Sequence, residues 1–226
     1  MSQNPVAGGS FGSALPFVLR WEGGFVDLAA DHGGATNRGI TQAVYDRWRN
    51  ETGKPARDVR QLRDDELEGI YLANYWQPAH CEVLAPPLAL AHFDTAVNMG
   101  CGRAVRFLQQ ALGCGVDGQF GDATRRSAEA CQAGSTVALY CSAREALYRA
   151  IVQNKPNQAV FLKGWMNRLN DLRAVVGVAG FTRPATRGRS TPPEPDFGDT
   201  GCYIARVADG ADDDPGLEPP PVGRHR

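Results

Sequence analysis

A glutamate, Glu22, closes an apolar run and stands directly before two glycines. Nine residues further on comes a dense polar patch, Asp31-His32-Gly33-Gly34-Ala35-Thr36-Asn37. These residue types can perform acid catalysis. Cleavage of a glycosidic bond commonly takes one protonated carboxyl, which donates to the leaving oxygen. A second carboxylate, where used, serves a water or the developing oxocarbenium ion. The acid must keep its proton near neutral pH, and burial against apolar or aromatic groups achieves this. Glu22 has Trp21 before it and Phe25 shortly after it, and Gly23 and Gly24 carry no side chain that would block a sugar ring. Asp31 follows across a turn that can fold back over Glu22. Gly34 leaves room, and Thr36 and Asn37 offer short polar groups able to hold a water or a hydroxyl. The same residues also admit a plainer reading, in which Glu22 is a solvated helix end and Asp31 an Asx-turn residue.

These residues must be positioned by helices. Ser13 is a candidate N-cap, Pro16 falls in the first turn of the helix it opens, and Leu15, Val18 and Leu19 form an apolar stripe. Gly23-Gly24 end that helix, because glycine accepts positive φ. Glu22 therefore sits at the negative end of a helix dipole, which favours its protonated form. From Phe25 to Ile40 the composition predicts turns and a short hairpin, and Thr41 caps the next helix. Asp64 or Asp65 opens another, and Pro86-Pro87 a mostly buried one ending at Gly100. Helical periodicity then continues to about Gly180, so the fold class is mainly α. In the loop "VDGQFGDAT", Asp117-Gly118 reads as a tight turn and Asp122 as a cap. Asp94 and Asn98 lie four apart on one helix face, as cleft-lining groups or as a buried hydrogen-bonding pair. Trp48, Trp76, Trp165 and Tyr75 can stack on sugars, although aromatics at helical spacing more often fill a core. The scattered arginines, Arg125-Arg126 among them, read as a solvated face.

Composition narrows the function. The chain has 226 residues and a formal net charge of -1, without the basic footprint of a nucleic-acid binder. Residues 1–180 hold 18 Lys and Arg against 17 Asp and Glu, so any field attracting an anionic polymer is weak. No apolar run reaches the roughly 18 residues of a membrane helix, and the N-terminus lacks the pattern of a secretory signal. The six cysteines form no CxxC pair, and free thiols are expected. The scattered histidines give no zinc spacing, so no metal or organic cofactor is implied. Residues 1–12 read as a flexible arm and 181–226 as a disordered Pro/Gly/acidic tail, with "CYIARVA" its one candidate strand.

The stretch "WEGGFVDLAADHGGATNRGIT" closely resembles the signature of glycoside hydrolase family 108, a family of N-acetylmuramidases found as phage endolysins and bacterial lysozymes. Glu22, Gly23, Gly24, Phe25, Asp31, Gly33, Gly34, Thr36, Gly39, Ile40 and Thr41 all occupy pattern positions. The chain departs from the pattern at His32, where a proline is usual, and at Arg38, where an aromatic is frequent. The stretches "FDTAVNMGCGRAVRFLQQALGCGVDGQFGDAT" and "LYRAIVQNKPNQAVFLKGWMNRLNDL" resemble the family's predicted peptidoglycan-binding region.

The resemblance implies a lysozyme-like helical domain with a small hairpin near its active site. It implies a catalytic part over 13–90 and a helical C-terminal lobe over 91–180. It places the catalytic acid on Glu22 and, through similarity to phage-type lysozymes, gives Asp31 the second-carboxylate role, with Asp27 as its fallback, and Thr36 the positioning of the water. Gly34, Asn37, Asp94 and Asn98 become candidate substrate contacts. The implied partner is the glycan strand of peptidoglycan, cut by a monomer between N-acetylmuramic acid and N-acetylglucosamine. Made in the cytoplasm without a classical signal peptide, such a protein acts on the wall in the periplasm or outside. It gets there through a holin, a dedicated export route or cell lysis. Two other readings use the same fold: a non-catalytic wall-binding protein, and a lytic transglycosylase or chitinase.

Overall fold

The structure is a computed structural model that describes residues 8–23, 25–26 and 35–178. Asp27, Asp31, His32, Gly33, Gly34, the tail and its candidate strand lie outside the described residues, as does the side chain of Phe25. The element order is α1 (Gly8–Trp21), β1 (Phe25–Val26), β2 (Thr36–Asn37), β3 (Ile40–Thr41), α2 (Gln42–Glu51), α3 (Asp64–Tyr71), α4 (Pro86–Met99), α5 (Cys101–Leu112), α6 (Asp122–Ala130), α7 (Ala133–Asn154) and α8 (Ala159–Val175). Short 3₁₀ turns join several of them. The chain is mainly α, as its periodicity predicts, and no helix among the described residues is long and apolar enough to cross a membrane. The five cysteines among the described residues are free thiols, and two of them, Cys81 and Cys141, are buried.

Helix α1 starts earlier than the Ser13 cap read from the sequence. It begins at Gly8, so residues 8–12 belong to a helix rather than to an arm, and Pro16 lies inside it. The reason is apolar spacing: Phe11, Ala14, Leu15 and Val18 are all buried, one stripe at i, i+3, i+4 and i+7. Phe11 sits edge-on to Trp76 and Phe93, with ring centroids 5.4 and 5.7 Å away. Truncating one such buried aromatic typically costs about 3–5 kcal/mol. The helix ends as expected, with Gly23 in the left-handed region at φ +71°.

Helix α4 is the axis of the molecule. It is buried along almost its whole length and packs against α1, α5 and α7. The division read at residues 90 and 91 falls inside this helix, and the chain breaks instead at Gly100, whose φ is +88°. A helix that carries the core contacts of both halves cannot be divided without exposing both.

The three strands form one antiparallel sheet in the order β1-β2-β3. Thr36 pairs with Thr41, and Asn37 with Ile40, across a two-residue turn in which Arg38 (φ +50°) and Gly39 (φ +80°) are both left-handed. That is the primed turn whose twist suits a tight hairpin. Arginine is an unusual first residue for it, and tertiary contacts hold it there. Arg38 Nη1 lies 2.6 Å from Asp64, its Nη2 donates to the Leu62 carbonyl, and the Tyr71 hydroxyl donates to its own carbonyl at 2.9 Å. Thr41 caps α2 as predicted, accepting from the Val44 amide.

Candidate active site

Glu22 lies one residue past the end of α1, and its amide still bonds to the Leu19 carbonyl. Its side chain is only 5% exposed. The Arg38-Gly39 turn comes down over it: a Cβ on Gly39 would lie 2.6 Å from the Tyr71 hydroxyl and 3.2 Å from Glu22 Oε2. A side chain there would strike both groups, so glycine is required twice, by φ and by space. Tyr71, at the end of α3, and Tyr75, in the π-turn that follows it, both stand close enough for Glu22 to act on them. Burial first, and the Glu22 charge second, push both phenols up.

The fourth wall comes from the far end of the chain. Helix α8 docks on the C-terminal end of α1, where Asp171 bonds Arg20 at 2.9 Å and the Trp21 indole at 3.2 Å. One turn away, Arg168 Nη2 lies 2.8 Å from Glu22 Oε1. The two are close but poorly aligned, so that neither atom completes a hydrogen bond among the described residues. The contact is a skewed ion pair. Arg168 makes its aligned bond elsewhere, from Nε to Asp94 Oδ1 at 2.9 Å.

Burial is the largest influence on Glu22 and pushes its carboxyl above the ordinary value of a glutamate. Arg168 pulls it back, Asp94 adds to the rise, and the outcome is a raised proton affinity. Asp94 goes the other way. Burial would push it up too, but Arg168 and Arg144 together outweigh that and hold it below the ordinary range. Two buried carboxyls in one cluster are thus pushed apart, one toward the acid and one toward the anion, which is how a site assigns a proton.

The other sequence candidates divide. Thr36 is half-buried in β2 beside this hairpin. Asn37 is also half-buried, but its amide nitrogen donates to the Val59 carbonyl at 3.0 Å, so this group ties the hairpin to the turn before α3. Asp94 is fully buried and enclosed by Arg144 and Arg168, so it cannot touch a sugar. Its part is internal. Asn98 accepts from Arg144 Nη2 at 3.2 Å and from the Tyr148 hydroxyl at 3.1 Å. Asp94 is buried and Asn98 half-buried, and they are linked through Arg144, from which both accept. Trp76 is core, and Trp165 stacks on Tyr148 with centroids 5.2 Å apart. In the distant loop, Asp117 makes its tight turn by accepting from the Gln119 amide. Gly121, not Asp122, takes the cap position of α6.

Sequence reasoning misses Arg144 and Arg168 by grouping the arginines as a solvated face. Both are buried. The signal is there to be read: Arg144 falls four residues from Tyr140 and four from Tyr148, on the apolar stripe of α7, and Arg168 adjoins the buried Leu169.

Fold and site together define a class, a mainly α, lysozyme-like domain holding a buried glutamic acid at a helix end beneath a small sheet. Comparison with known proteins identifies the family. The glycosyl hydrolase 108 model matches residues 15–100, and a predicted peptidoglycan domain matches residues 103–170. The solved structure titled "Structure of Brucella abortus SagA" is 32% identical, with 75% of this chain and 95% of that chain covered and a TM-score of 0.61. No curated protein matches the chain. The chain belongs to the glycosyl hydrolase 108 family, and it is a glycoside hydrolase of peptidoglycan.

Proposed function

We propose that the enzyme is an N-acetylmuramidase that cleaves the β-1,4 bond between N-acetylmuramic acid and N-acetylglucosamine, with Glu22 as the general acid. The observation that carries this reading is the state of the Glu22 carboxyl. It is buried at the negative end of α1, held among the described residues by one skewed cation, and raised in proton affinity. A carboxyl so placed holds a proton ready for the leaving oxygen and gives it up as the bond breaks. Asp31 supplies the second carboxylate, with Thr36 positioning the water, and Asp27 is the fallback. Access to the wall is through a holin, an export route or lysis, and the working unit is a monomer.

The test is Glu22→Gln, which keeps shape and removes the transferable proton. Wall lysis, followed as release of reducing ends, is expected to fall by about 10²–10⁴-fold with the circular dichroism spectrum unchanged. Full activity in that variant would remove the assignment. Mass spectrometry of the products separates the neighbouring chemistries: hydrolysis leaves reducing N-acetylmuramic acid ends, a lytic transglycosylase leaves 1,6-anhydro ends, and a non-catalytic wall binder releases nothing.

A further inference from the structure

Four charged side chains meet behind the hairpin: Glu22 from the end of α1, Asp94 from α4, Arg144 from α7 and Arg168 from α8. Their pairing is unequal. Asp94 Oδ1 accepts an aligned hydrogen bond from Arg168 Nε at 2.9 Å and lies 2.8 Å from its Nη2, an ion contact without hydrogen-bond alignment. Asp94 Oδ2 receives Arg144 Nη1 at 2.5 Å. Arg144 is itself fixed by the Tyr148 hydroxyl at 2.9 Å, Thr95 Oγ1 at 3.1 Å and Asn98 Oδ1 at 3.2 Å. Among the described residues, Glu22 Oε1 meets only Arg168 Nη2, at 2.8 Å and out of line.

We propose that Asp94 is a positioning residue of the Glu22 site: it anchors the Arg168 guanidinium, with Arg144 as its clamp, and so sets how much of that cation's charge Glu22 feels. The proposal rests on the reading of Glu22 as the general acid. A buried anion next to a cation of its own is stabilised strongly, because the interior screens charge poorly. Asp94 has two such cations and Glu22 shares one of them. A second negative charge at Glu22 would lean on a guanidinium already committed and would face the Asp94 charge. The proton therefore resides on Glu22. Among the described residues, the remaining groups near Glu22 are the phenols of Tyr71 and Tyr75, which stay neutral, and the Arg38-Gly39 turn, whose arginine is engaged with Asp64. Asp171, one turn along α8 from Arg168, is spent on Arg20 and Trp21.

The experiment reads two quantities in the full chain: kcat/KM against pH on soluble peptidoglycan fragments, and the midpoint of the Glu22 carboxyl in ¹³C-labelled protein without substrate. The acid must be protonated, so its midpoint sets the alkaline limb of activity. Asp94→Asn removes the anchor and the facing negative charge. The Glu22 midpoint and the alkaline limb are expected to move together toward lower pH, by about one on the pH scale or more, the size typical for a carboxylate gaining a cation. Arg168→Gln is expected to move both toward higher pH, and Arg168→Lys, which keeps the charge, to return them most of the way. A merely structural role for these residues would lower activity without opposite displacements. Unmoved midpoints, or displacements in one direction in both variants, overturn the proposal. If Asp94→Asn does not fold, the two Arg168 variants decide it: no rise with glutamine, or no return with lysine, is the overturning result. A carboxyl midpoint that moves while the activity limb stays still would uphold the charge arrangement and remove Glu22 as the acid.

Discussion

Among the described residues, two glutamates have buried side chains, and they have opposite characters. Glu66, in the first turn of α3, has a side chain 1% exposed. Its oxygens accept from the Tyr45 hydroxyl at 2.6 Å, Arg49 Nη1 at 2.6 Å, Arg57 Nη1 at 3.1 Å and the Arg63 amide at 3.2 Å. Burial pushes its carboxyl up, but Tyr45, the Arg63 amide, Arg57 and Arg49 outweigh that and hold it below the ordinary glutamate value. Glu22 is buried to a similar degree, and among the described residues its Oε1 is given one misaligned guanidinium. Its carboxyl rises. Burial alone therefore does not make an acid. A carboxylate surrounded by donors is a strut that ties α2 to α3, whereas one left short of donors keeps a proton to give away.

This contrast can be broken most forcefully at Glu66. Glu66→Gln leaves Arg49, whose side chain is 3% exposed, buried without its closest counter-charge. Uncompensated buried charges of this kind typically cost about 3–5 kcal/mol. The loss should appear as a lower denaturant midpoint at neutral pH. Because the folded value of Glu66 is depressed, its stabilisation is complete above the ordinary glutamate value and is lost as pH falls through the folded one. The deficit of the variant should shrink in acid. A variant as stable as the parent at pH 7 would mean that the donor shell around Glu66 contributes nothing.

Gly39→Ala tests the roof over Glu22. The added methyl meets Tyr71 and Glu22 at a residue with φ +80°, and strained or clashing backbone sites of this type cost about 1–3 kcal/mol. Activity should fall with stability, because the hairpin can accept the methyl only by lifting away from the acid. An unchanged melting curve would show that the turn is not pressed against the site.

The smallest effect, and the sharpest one for the comparison, is the stability of Glu22→Gln. A folded value raised above the ordinary 4.5 means that the native state binds more protons than the unfolded chain between the two values. The stability of the parent therefore falls as pH rises through that window. Glutamine cannot ionise and escapes the fall. The variant should match the parent in acid and be equal or more stable above the window, the reverse of Glu66→Gln. Thermal melts at several pH values read both trends, and a parallel response in the two variants would erase the distinction.

Much of the framework was legible along the chain. Apolar spacing and glycine punctuation placed the helices, the end of α1 beside Glu22, and the Thr41 cap, because each depends on residues within a turn or two. The start of α1 is not legible, because Ser13 looks like a cap, while the residue that decides the helix, Phe11, finds its partners Trp76 and Phe93 only in the folded core. The tie of Asn37 to the Val59 carbonyl is not legible in the sequence, because a short polar side chain in a turn-rich stretch carries no mark of its partner. Arg144 and Arg168 look like surface arginines in the sequence, because an arginine's burial is set by what packs over it.

The sequence by itself determined that a glutamic acid would stand at a helix C-terminus beside glycines, since capping and the helix dipole are local effects. It determined the mainly α class for the same reason. Only the tertiary structure decided which charges reach that carboxyl. Arg168 and Asp94 are 74 residues apart in the chain, and they meet Glu22 because α4 and α8 pack beside α1. Charges act through space in a medium of low polarity, so the proton on Glu22 is a property of that packing.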